Sequence, residues 1–129
     1  MNELFSGEQE SGRCGIVRAG ADPLRQGNGL FYRPLISGDR NSNMHPIHVT
    51  VPFDRTGDEL YRHEGEEWLY VLCGTLCLTL ESETFQIESG DTAHFDARLP
   101  HRLTALGDQD AEIILVACAL PRKLLSSYL

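Results

Sequence analysis

Short apolar runs, each closed by turn-forming residues, follow one another along almost the whole chain. This rhythm constrains the fold more than any other feature. The runs cover residues 15–19, 29–36, 46–51, 68–73, 76–80, 84–87, 92–95, 101–105 and 112–119. Between them stand Ala21-Asp22-Pro23, Gly27-Asn28-Gly29, Ser37-Gly38-Asp39, Ser89-Gly90-Asp91 and Gly107-Asp108, residues that supply the backbone angles of tight turns. Many short strands at this spacing predict an antiparallel sandwich or barrel. Leu76, Leu78 and Leu80 alternate with Cys77, Thr79 and Glu81, so that strand buries one face and leaves the other open. The expectation is an all-β, single-domain barrel with few or no helices. Its body spans 13–120, after a polar lead-in over 1–12 and before a tail or short helix over 121–129.

A chain of 129 residues fits one domain with a sizeable core. Its net charge of -8 and the absence of a Lys/Arg cluster argue against nucleic-acid binding, which needs a basic face to displace counterions. Residues 1–10 are polar and acidic, unlike a secretory leader, and no apolar run approaches the ~20 residues of a spanning helix. Cys14, Cys73, Cys77 and Cys118 form no CxxC pair, which suits a reduced, cytoplasmic setting without membrane association. Cys73 and Cys77, flanking Gly74, either approach each other or act as small buried hydrophobes.

The chemistry concentrates between Tyr61 and His101. His63 and Glu67 stand at the mouth of the run 68–73, and His101 begins the run 101–105. If the hairpin over 76–87 folds back, the three side chains converge inside the barrel. Two imidazoles and one carboxylate suit divalent iron, manganese, zinc, nickel or copper without selecting among them. The alternative is a polar cavity in which the histidines only hydrogen-bond and Glu67 pairs with Arg62 or Arg98, since a buried carboxylate needs some partner. His94 and Arg98 are candidates to line a ligand pocket, or else lie on the surface. Arg102 is a candidate to neutralise an anionic ligand. His45 and His48 are less favoured as ligands. Trp68 and Tyr70 are expected in packing or dimer contacts.

The segment from Tyr61 to Gly74 resembles the first cupin motif, G-x5-H-x-H-x(3,4)-E-x6-G. His63, Glu67 and Gly74 fall at its second histidine, glutamate and closing glycine. The second motif, G-x5-P-x-G-x2-H-x3-N, is matched by Gly90 and His101. The phrases His-Glu-Gly-Glu-Glu-Trp, Gly-Asp-Thr-Ala-His-Phe-Asp-Ala-Arg and Leu-Pro-His-Arg are similar to the C-terminal cupin barrels of bacterial helix-turn-helix regulators. The resemblance implies a double-stranded β-helix (jelly roll), a homodimer pairing through N-terminal strands, and a metal shell of three histidines and one glutamate.

The departures narrow that shell. Tyr61 replaces its first histidine and Arg55 the leading glycine, while Asp96, Arg98 and Ala105 stand where Pro, Gly and Asn are common. A phenol coordinates only after losing its proton, which is costly unless the metal draws it off. His63, Glu67 and His101 remain as metal ligands, with Tyr61, His94 and Arg98 as the pocket. Three functions follow from the resemblance. The first is a sensory barrel binding a small-molecule effector with or without metal, standing alone or as a domain of a longer regulator. The second is a metal-dependent dioxygenase, isomerase or decarboxylase acting on a small organic acid, with Tyr61 or His94 as acid or base. The third is a silent dimerising scaffold.

Overall fold

Alternation of apolar and polar residues writes the fold strand by strand. In the computed structural model, which describes residues 14–37 and 42–118, β4 (Glu66–Cys73) turns Glu67, Leu69 and Val71 inward and Glu66, Trp68 and Tyr70 outward. Its neighbour β9 (Ala111–Cys118) alternates in the same way, with Ala111, Ile113, Leu115 and Ala117 fully buried. Side chains on successive strand residues point to opposite faces, so this pattern can bury only one face of a sheet.

Two antiparallel sheets result. The larger runs β1 (Arg25–Gly27), β2 (Leu30–Pro34), β3 (Met44–Val51), β9, β4 and β7 (Thr92–Asp96). The smaller is β6 (Glu83–Ile87), β5 (Leu76–Leu80) and β8 (His101–Ala105). Their inner faces meet in a core that includes Leu30, Ile47, Val49, Leu76, Leu103 and Ile113. The expected all-β jelly roll is what forms, with no helix among the described residues, and none long and apolar enough to cross a membrane.

Turn chemistry sets the registers. Asn28 and Gly29 both have positive φ, 55° and 78°, and close a two-residue hairpin between Gly27 and Leu30. That geometry matches the right-handed strand twist and favours Asn-Gly. Gly74 ends β4 at φ 80°, where an added Cβ would strike the backbone of Asp110 and Ala111. Here glycine is required both by conformation and by space.

Several expectations need correction. Residues 15–19 form no strand, while Arg25–Gly27 does, paired through the Asn28-Gly29 loop. Cys73 is exposed and Cys77 only partly buried, rather than small buried hydrophobes. A register shift between Val71 and Cys73 carries the end of β4 out of the alternation that buries Val71. The lead-in over 1–12 and the tail over 121–129 lie outside the described residues.

Candidate functional site

Three elements bring His63, Glu67 and His101 together at one end of the barrel. Glu67 is delivered by the inward phase of β4, one position ahead of Trp68 and two ahead of Leu69. His101 opens β8 on its inner face, opposite Leu80 of β5. His63 comes from the loop before β4, held by its N–H donating to the Ala97 carbonyl at 2.9 Å, while Ala97 N–H donates to Gly65 at 3.0 Å. Gly65, at φ 100°, lets the chain turn from that loop into the strand.

The donor atoms of the three side chains lie within 4.8 Å of one another. His63 Nε2 approaches Glu67 Oε2 at 2.6 Å, and His101 Nε2 stands 3.9 Å from the same oxygen. Side-chain exposure is 6% for His63 and 1% for both Glu67 and His101. The imidazole of His101 is held by Leu99, whose carbonyl accepts from Nδ1 at 2.9 Å. A carbonyl can only accept, so Nδ1 carries a proton, and in the neutral ring this leaves the lone pair on Nε2, toward Glu67. This is how a metal-binding histidine is usually prepared.

His63 and Glu67 form an ion-pair contact at 2.6 Å. Both carboxylate oxygens of Glu67, and Nε2 of His101, are buried without a hydrogen-bond partner. Buried polar atoms are nearly always satisfied, and an uncompensated buried carboxylate is expensive. A divalent cation satisfies all three atoms at once. The residues therefore fit a metal, as two imidazoles and one carboxylate.

The other candidates fall elsewhere. Tyr61 pairs with His101 through the backbone, with two hydrogen bonds of 2.8 Å. Its hydroxyl donates to Glu59 Oε1 at 3.1 Å, and the Arg55 guanidinium lies 6.0 Å from its ring. Because Phe95 points inward on β7, His94 points outward; it is 62% exposed and contacts Glu66 at 2.6 Å. Arg98 is 65% exposed and pairs with Asp96 at 2.9 Å. That pairing holds the Asp96 carboxyl at about 2, below its ordinary range. His94 and Arg98 border an outer-surface hollow with Glu64 and Glu66, apart from the buried trio. His48 contacts Glu112 at 3.1 Å on the outer face of the large sheet.

Arg102 is not positioned to meet a ligand inside the barrel. One residue past His101, it faces the opposite side of the small sheet and donates to the carbonyls of Glu59 (2.9 Å) and Thr56 (2.7 Å). Arg55 reaches the carbonyls of Asn28 and Leu103. Burial, and then the neighbouring Arg102, lower the Arg55 pKa from its ordinary value. Together the two arginines pin the segment that carries Tyr61 and His63 into place. No sequence signal marks this role, because its acceptors are main-chain carbonyls.

The sequence profile of the cupin domain family matches residues 47–117. The uncharacterized protein MJ1618 of Methanocaldococcus jannaschii is 32% identical over 63 residues, which cover 48% of this chain and 49% of that protein. Among solved structures, apo-HppE is 25% identical with a TM-score of 0.67, covering 79% of this chain and 56% of its own. Its Fe(II) form is 21% identical with a TM-score of 0.71, covering 84% and 62%. A cupin 2 conserved barrel domain protein from Salinispora arenicola is 17% identical with a TM-score of 0.68, covering 82% and 89%. The chain thus spans about half the length of the archaeal relative and 56% of apo-HppE.

Proposed function

The chain belongs to the cupin domain family, and from that premise we propose that it is a metal-containing barrel that binds a small organic molecule at the ion. The observation that carries this reading is that both Glu67 oxygens and His101 Nε2 are buried without a hydrogen-bond partner while clustered with His63. His63, Glu67 and His101 hold one divalent ion, for which iron, manganese, zinc, nickel and copper are all chemically suited. A bound ion supplies a Lewis acid with open coordination positions. Two neutral imidazoles and one carboxylate leave a divalent ion one net positive charge, which favours an anionic or hydroxyl-bearing ligand group. Leu99 fixes the His101 tautomer, and the arginine-pinned loop holds His63 in register.

Within this reading the small molecule is an effector. A second reading, turnover of a small organic acid, is favoured by the likeness to HppE, a protein solved in an Fe(II) form. A homodimer is supported by the partly exposed outer-face residues Trp68, Tyr70 and Leu72, and analytical ultracentrifugation tests it.

Elemental analysis of the purified protein tests the metal reading. About one divalent ion per chain is expected, with loss in both His63→Ala and His101→Ala. Wild-type protein without metal, or metal retained in both variants, refutes it. Steady substrate loss under the Fe(II)-loaded protein would move the reading from effector binding to catalysis.

A further inference from the structure

The two sheets do not close along one side. Edge strands β6 and β7 face each other across an open cleft of about 690 Å³, lined by the apolar side chains of Leu78, Leu80, Phe85, Ile87, Ala93 and Phe95 and also by Gln86, Asp91, Thr92 and His94. Phe85 is directly opposite Leu78 in the β5–β6 ladder and so belongs to the inward face. It is nevertheless 43% exposed, whereas Leu78 is 3% exposed. An inward aromatic left this open marks the mouth of the cleft.

The inner end of the cleft is the wall of the metal site. Phe95 is paired across the ladder with Glu67, and its ring centroid lies 5.1 Å from that of His101. Leu80 is paired with His101 on the other side. Phe95 and Leu80 therefore border both the polar donor cluster and the apolar part of the cleft lining.

We propose that the cleft between β6 and β7 seats the hydrocarbon body of the ligand, whose polar head reaches the ion past Phe95. This rests on the metal reading above. The ligand class is an amphiphilic small molecule, a carboxylate or hydroxyl group carrying an apolar chain. Phe95 and Leu80 set how much of that chain sits beside the donors, and Ala93 and Phe85 line its path outward.

Cobalt(II)-loaded full-length protein, titrated with straight-chain carboxylates from acetate to hexanoate and followed by visible absorption, tests this. Each methylene buried in the cleft should tighten binding about fourfold, so hexanoate should exceed acetate by roughly two orders of magnitude. Ala93→Leu, which fills the cleft, and Phe85→Ser, which opens its mouth to water, should each cut the hexanoate advantage about tenfold. Acetate binding and the cobalt spectrum should stay unchanged in both. Equal affinity for acetate and hexanoate, with cobalt bound, overturns the proposal and leaves the metal reading intact. Hexanoate binding that weakens as protein concentration rises means a second copy of the chain fills the cleft, which also overturns it. Failure to take up cobalt is visible before any ligand is added and overturns the metal reading itself.

Discussion

Glutamine at position 67 keeps the shape of the glutamate and removes its charge, which isolates what the buried carboxylate does to stability. In metal-free protein, Glu67 is 1% exposed and neither oxygen has a hydrogen-bond partner. The effective penalty for such a charge is several kcal/mol, only partly offset by His63 at 2.6 Å. An unsatisfied glutamine amide costs less, on the order of 1–3 kcal/mol. Glu67→Gln should therefore stabilise the metal-free protein by about 1–2 kcal/mol, a rise in Tm of roughly 3–8 °C for a domain of this size. With free metal at a hundred times its Kd, the wild type gains about 2.7 kcal/mol by linkage. The variant, lacking the anionic ligand, gains much less, so the order of stabilities reverses. Urea unfolding in chelator and then in saturating metal, read by the single tryptophan, Trp68, measures both arms. A variant less stable than wild type by more than about 1 kcal/mol in chelator would refute the reasoning. It would mean that the carboxylate is already well compensated without a cation.

Three further outcomes follow from the geometry. Arg102→Ala removes two charged hydrogen bonds to the carbonyls of Glu59 and Thr56. It should cost about 2–4 kcal/mol in urea unfolding, with faster amide exchange over residues 56–63. Unchanged exchange there would remove the pinning role. Gly74→Ala forces a Cβ into the Asp110 backbone at φ 80° and should cost at least about 2 kcal/mol, seen as a lowered urea midpoint; a neutral effect would contradict that packing. Asp96 titrates at about 2 because of its hydrogen bonds with Arg98. A carboxyl depressed in the folded state contributes stability that is present above its unfolded pKa, about 3.9, and fades as pH falls toward 2. Arg98→Ala should return the Asp96 titration to the ordinary carboxyl range by NMR without altering metal content; an unmoved midpoint would exclude Arg98 as the cause.

The parts of this molecule legible in its sequence are those written in period two and in turn residues. The alternation of Leu76, Leu78 and Leu80 gave the bounds of β5, and the spacing of His63, Glu67 and His101 anticipated three side chains that the fold does bring together. The strand Arg25–Gly27 was missed because three residues carry too little periodicity, although Asn28-Gly29 is itself a hairpin signal. His94 and Arg98 share a segment with the site but not its face, since one step along a strand reverses direction; Phe95 is the inward residue. Arg102 illustrates the opposite difficulty. Its neighbour His101 points into the barrel, and what Arg102 binds is main chain contributed by a distant loop, which no residue type announces.

Glu67 belongs to the six-stranded sheet and His101 to the three-stranded one. The site is thus a clasp at one end of a pair of leaves whose β6 and β7 edges stand apart. An ion held by both donors therefore cross-links the two sheets at that end, and a movement that separates the sheets there would also separate Glu67 from His101.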